Sequence, residues 1–170
     1  MYLTTLFLPE IKYLIILTEK VTKNIQLTIA GAKNTMIVIV CIDDNLGMMF
    51  NNRRLSKDIV LTEKVVDVAK NSKLWLNKYS YSLFEQFDTS NINVDETFLA
   101  EAANGEYCFV ENKELKPFEK WIEKMIVFRW NRSYPADQTF DIDLSKWRLS
   151  EVSEFEGNSH EKITMEVYAK

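Results

Sequence analysis

Histidine, cysteine, glycine and proline are all scarce in this chain of 170 residues, which holds one, two, four and three of them. A zinc centre takes three or four nitrogen and sulfur ligands, and His160 has no second histidine and no CxxC pair to join it, so no metal site is expected. Cys41 and Cys108 both lie in apolar, strand-like runs where a free thiol behaves as a small hydrophobe. Buried unpaired thiols are therefore expected, not a disulfide or a nucleophile. Basic charge is short as well: 21 Lys and Arg stand against 25 Asp and Glu, a net charge of -4. That balance argues against general affinity for nucleic acid or an anionic membrane, and leaves room only for local basic patches. Long apolar runs are missing too. Leu6–Leu17 is interrupted by Pro9, Glu10 and Lys12, has no basic residue before it, and falls short of the roughly 20 residues that cross a bilayer. Neither a signal peptide nor a membrane span is expected, and the expected location is cytoplasmic.

What is present has the composition of one globular domain: 46% of residues are apolar and 27% charged. The first 35 residues admit two readings. Ile11–Leu17 and Ile25–Ala30 pair as a hairpin across Thr18–Asn24, or residues 1–35 are a dispensable extension and Met36 is the functional start. The second is preferred because Met36 opens a strong strand, which makes 36–170 the domain.

Ile37–Ile42 is a continuous β-branched run of the kind buried on both faces of a sheet. Asp43–Gly47 ends it, and GMMFNNRRLSKD reads as a polar loop that leads through the N-cap Ser56 into a helix running to Asn71. A short strand (Lys73–Asn77), a helix (Ser80–Gln86), a loop (Asp88–Asn93) and a helix (Glu96–Ala103) stopped by Asn104-Gly105 follow. Tyr107–Val110 is a third central strand, Lys113–Glu123 a helix, and Met125–Trp130 another strand. Trp147–Phe155 and Ile163–Tyr168 alternate in polarity and form a closing antiparallel hairpin. The expected fold class is α/β, a central, mainly parallel sheet flanked by helices with an antiparallel edge.

Several strings in this order resemble dihydrofolate reductase. Ile37–Asp43 with Asn45-Leu46-Gly47-Met48 resembles the family's first strand and active-site loop. Leu55-Ser56-Lys57-Asp58 resembles the Leu-Pro-x-Asp/Glu start of its first helix, and Leu76-Asn77-Lys78-Tyr79-Ser80 the Met-Gly-Arg-x-Thr segment that meets the cofactor phosphates. Lys124–Phe128, Phe140-Asp141, Trp147-Arg148-Leu149, Glu154-Phe155 and Glu166-Val167-Tyr168 resemble its closing strands. The resemblance implies a dihydrofolate reductase-like fold, Asp58 as the catalytic, substrate-holding carboxylate, and NADPH as cofactor.

Departures from the family qualify that implication. Its Gly-Gly pair after the central strand, which admits the cofactor diphosphate, is Glu111-Asn112 here, and a carboxylate repels a polyanion. The glycine before the phosphate-contacting cation is Asn77, while Lys78 and Ser80 keep a cation and a hydroxyl. Glu85-Gln86-Phe87-Asp88 supplies no arginine for a folate tail. The threonine beside the active carboxylate falls at Phe128, and a loop tryptophan is replaced by Arg53-Arg54.

Each candidate also has a plainer reading. Asp58 is either the catalytic carboxylate or a first-turn residue that favours the helix dipole. Arg53 and Arg54 hold a phosphate or carboxylate ligand, or balance nearby aspartates. Lys78 and Ser80 cradle an anion, or Ser80 simply caps. Asn77, Glu111 and Asn112 are a degenerate cofactor site or a new polar one. Arg129–Arg132 is a small basic and aromatic cluster able to stack a base, or core and surface residues.

Four functions follow. The first is a small protein that binds a pterin- or nucleotide-like ligand beside a degenerate NADPH site. The others are an active NADPH-dependent reductase, a non-catalytic protein-interaction domain, and an RNA-processing hydrolase of the ribonuclease Z kind. The last lacks its HxHxDH metal motif. A small molecule is the expected partner, nucleic acid and membrane are not, and the oligomeric state is unassigned.

Overall fold

A computed structural model describes residues 35–170. The proposed 11–30 hairpin therefore lies outside the described residues. Strand β1 (Met36–Ile42) occupies the middle of a seven-stranded sheet, as its apolar run predicts. Around it lie β4 (Leu74–Leu76), β5 (Ile92–Val94), β6 (Tyr107–Val110), β7 (Ile122–Arg129), β9 (Arg148–Phe155) and β10 (Ile163–Ala169), in the order β5-β4-β6-β1-β7-β10-β9. The first five strands of that order run parallel; β10 is antiparallel to β7, and β9 is antiparallel to β10.

Alternation along β1 divides the core. Ile37 and Ile39 point to one face, which α1 (Ile59–Ala69) covers with Leu61, Val65 and Ala69, one apolar stripe at four-residue spacing. Val38, Val40 and Ile42 point to the other, against Phe98, Leu99, Leu115, Phe140, Ile142 and Trp147. Ile39, Val40 and Ile42 are wholly buried, each stabilising the fold by about 1.5–3 kcal/mol.

Several local expectations are corrected. The N-cap of α1 is Asp58, not Ser56: its carboxylate accepts from the Val60 and Leu61 amides. The helix read at 80–86 is a single turn, α2 (Lys78–Tyr81), capped by Asn77. The 96–103 helix contracts to α3 (Phe98–Glu101), and Gly105 takes a positive φ in the turn beyond. Pro117 enters a 3-10 segment, Lys116–Trp121, in place of the 113–123 helix, so β7 begins at Ile122. Loop 88–93 ends in β5, which adds to β4 in parallel.

The stretch read as a polar loop is mostly hairpin. β2 (Gly47–Phe50) and β3 (Arg53–Arg54) pair across Asn51-Asn52, both at positive φ, as a two-residue hairpin turn requires. With β8 (Gln138–Thr139) they make a second, three-stranded sheet. Gly47 is needed for close approach: a Cβ there would sit 2.6 Å from the Ala136 Cβ and 3.0 Å from Asp43 Oδ1. Asp43, fully buried, accepts from the amides of Asn45, Gly47 and Tyr134. Cys41 and Cys108 are free, the second buried and the first half-buried.

Candidate functional site

Parallel strands aim their carboxyl ends at one side of the sheet, the usual place for a ligand in an open α/β fold. Arg54, Asp58 and Glu111 meet there around a cavity of about 10 Å³, which Cys41, Phe109 and Trp130 also line. That volume holds about one water.

One corner of the cavity is an ion pair. Arg54 lies directly opposite Met49 in the β2–β3 ladder, and both side chains point inward. Its Nε is 3.1 Å from Glu111 Oε1, and its Nη2 donates to Glu111 Oε2, to the Tyr79 carbonyl and to Ser82 Oγ at 3.2–3.3 Å. The guanidinium also lies 4.7 Å above the Tyr79 ring, while the Tyr79 hydroxyl accepts from the Arg54 amide. Burial pushes the Glu111 carboxyl above its ordinary range, against the opposing pull of Arg54 and the Ser80 hydroxyl. Burial and the Glu111 carboxylate likewise push the Cys41 thiol well up, so no thiolate forms at neutral pH.

The other corner is a clasp between α1 and the β9–β10 turn. Asp58 Oδ1 accepts from the Val60 and Leu61 amides, and Oδ2 from the Ser159 amide at 2.6 Å and the Ser159 hydroxyl at 3.0 Å. Burial raises the Asp58 carboxyl, but the Ser159, Asn158 and Leu61 amides with the Ser159 hydroxyl outweigh it and leave the group at about 2. Gly157 lets the turn approach the clasp this closely, since a Cβ would lie 2.5 Å from Asp58 Oδ2 and force a shift.

His160, the single histidine, is buried behind this clasp. It stacks on Trp130 at 4.7 Å, with Nδ1 3.0 Å from Ser159 Oγ and 3.6 Å from Asp58 Oδ2, and Nε2 3.0 Å from the Tyr134 hydroxyl. Burial and the nearby Arg132 lower its pKa, against the raising effect of Asp58. The ionised Asp58 favours the tautomer with its proton on Nδ1, directed at Ser159 Oγ, while Nε2 accepts from Tyr134. Serine, histidine and aspartate thus meet without forming a nucleophilic triad. Serine and carboxylate share one ring nitrogen, and the imidazole presents a proton, not a lone pair, to the hydroxyl.

The described residues include no group of three His, Cys, Asp or Glu side chains placed to hold a metal, and no helix long and apolar enough to cross a membrane. No family model and no curated protein matches the sequence. Solved structures do match: dihydrofolate reductase from Enterococcus faecalis, complexed with NADP(H) and RAB-propyl, superposes with a TM-score of 0.55 at 10% identity, over 81% of this chain and 96% of that one. The fold is dihydrofolate reductase-like. At that identity the likeness extends to the fold alone.

Within this fold the candidate residues divide. Asp58, Arg54 and Glu111 converge on one cavity. Asn77 and Asn112 are joined by a 2.7 Å hydrogen bond, and Asn77 caps α2 through the Ser80 amide, so the cap is Asn77 and not Ser80. Lys78 is exposed; its backbone amide donates to Glu96. Phe128 is fully buried, edge-on to Phe155 in the core beneath α1. Arg53 points away from Arg54, on the opposite face of its hairpin. Sequence reasoning missed Ser159, His160 and Tyr134, which come from chain segments far from Asp58. The one local signal was a glycine and a serine flanking a lone histidine in a polar turn.

Proposed function

We propose that this chain is a non-catalytic binding domain, a dihydrofolate reductase-like fold whose central cleft is filled by its own side chains. The observation that carries this reading is the Arg54–Glu111 pair at the carboxyl end of β6. In the resembling reductases that point is a Gly-Gly pair open to a diphosphate. Here a buried carboxylate occupies it, already matched to Arg54, so the pair offers a phosphate no net positive charge and its side chains fill the space that two glycines would leave open.

Asp58 supports the same reading. Both its oxygens are engaged by the helix and the turn. A carboxyl held at about 2 carries almost no proton at neutral pH, so it is a poor proton donor for a reduction. A pterin-like ligand would have to displace the Ser159 donors from the carboxylate, whether it entered the one-water space between Asp58, Arg54 and Glu111 or the open groove of about 360 Å³ that Lys57, Asp58, Gln86 and Ser159 line.

Thermal unfolding with NADPH and with dihydrofolate tests this. A ligand with a Kd near 10 μM, added at about 1 mM, would stabilise the native state by about 2.7 kcal/mol and raise Tm by several degrees. Read in an Arg53→Gln background, which removes the exposed guanidinium of β3, the expected result is no shift with either compound. A shift with both together, accompanied by NADPH oxidation, would restore the reductase reading.

A further inference from the structure

We infer that the outward face of the β2–β3 hairpin is a binding site for a small aromatic compound carrying one anionic group. Phe50 and Arg53 are directly opposite in the ladder, so their side chains stand together on one face, the face away from Arg54. They border an open groove of about 470 Å³ together with Asn51, Leu55, Tyr134, Pro135 and part of Arg54. This is within the size range of small-molecule sites.

The two neighbouring arginines differ in their state. Arg54 is committed to Glu111, Tyr79 and Ser82. Arg53 is exposed and has no hydrogen bond or ion pair among the described residues. Asp137, just before β8, accepts from the Asn51 amide. Phe50, 42% exposed, is a large ring in water beside that free guanidinium. A planar guanidinium fork matches a carboxylate or phosphate, and the Phe50 ring with Pro135 offers an apolar slot for an aromatic ring.

Both walls are already fixed. The hairpin is held by Asp137 at its turn and by Tyr79 at the Arg54 amide, at 2.8 Å each. Opposite, the Tyr134 amide donates to Asp43 at 2.8 Å and its hydroxyl meets His160. Little ordering remains to be done on binding, which favours affinity for a small ligand.

The test titrates the full chain with phenyl phosphate and adenosine 5′-monophosphate, followed by amide chemical shifts, with inorganic phosphate and adenosine as single-feature controls. Both ring-bearing anions are expected to shift the amides of residues 50–55 and Tyr134, and each control to bind about tenfold more weakly or not at all. Arg53→Gln and Phe50→Ala, both at exposed positions, should each weaken binding by about fivefold or more, while Lys78→Gln should leave it unchanged. The site is refuted if neither ring-bearing anion binds, if the shifts fall elsewhere, or if binding survives both groove variants. Failure here is separable from failure of the filled-cleft reading. NADPH protection abolished by Arg53→Gln belongs to this groove, whereas protection that persists in that variant counts against the filled cleft.

Discussion

Asp58 and Glu111 line the same small cavity, both buried, yet their surroundings move them in opposite directions. Glu111 faces one cation across a low-dielectric gap, and burial still raises its pKa. Asp58 faces backbone amides and a hydroxyl, and they hold it at about 2. Glu111 carries the heavier desolvation and one guanidinium does not offset it, whereas the directed N–H and O–H donors at Asp58 outweigh a lighter desolvation. The two corners therefore fail in different ways.

The ion-pair corner should show the largest loss. Arg54→Leu leaves the Glu111 charge buried without its partner, at a cost of about 3–5 kcal/mol, whereas Arg54→Leu combined with Glu111→Leu should recover most of that. Urea unfolding of the two variants measures the difference; equal losses would mean that the pair contributes little through charge. At the clasp, Asp58→Ala should cost about 2–3 kcal/mol, from a lost cap and from Ser159 donors left without an acceptor. Asp58→Asn should cost less, because asparagine still caps.

Acid separates the two corners further. The native pKa of Asp58, about 2, is below its unfolded value near 3.9, so its contribution of about 2 kcal/mol is complete above pH 4 and disappears as pH falls toward 2. His160 adds the same sign, since its lowered native pKa makes protonation below about pH 6.5 unfavourable to the fold. Glu111 has the opposite sign: a raised native pKa favours the fold at low pH, and that advantage is lost as pH rises through the native value. Stability of Asp58→Asn measured from pH 2 to 7 should show a flattened acid limb, and Glu111→Gln a steeper one. The smallest effect expected is that of Gly157→Ala. Its Cβ would press on Asp58 Oδ2 and Ile163, at a cost of about 1–2 kcal/mol, and unfolding at pH 7 measures it.

The sheet was readable because its signals are local. Met36–Ile42 is apolar throughout, and β10 opens with alternating apolar and polar residues beyond a polar turn, although β9 before that turn is exposed along most of its length and does not alternate. Short elements were misread where one residue type serves two purposes. Ser56 and Asp58 are both good caps, and only the backbone decides that Asp58 is extended at φ -145°. Asn51-Asn52 is a tight-turn signal that the polar composition around it concealed. At the site, Asp58, Arg54 and Glu111 were identified as candidates from the resemblance, but not that Arg54 would turn inward and Arg53 outward. That depends on hairpin register, which one residue of slip would invert. The partners of Asp58 were unreadable because they lie 101 residues further along the chain.

That separation has a consequence for the order of assembly. Helix α1 carries its own first-turn acceptor, but one oxygen of that acceptor meets its donors only when the final hairpin closes. During synthesis at about 5–20 residues per second, Asp58 precedes Ser159 by roughly 5–20 s. Through that interval the start of α1 is held on one side only. The last turn to be made is what locks the first helix in place.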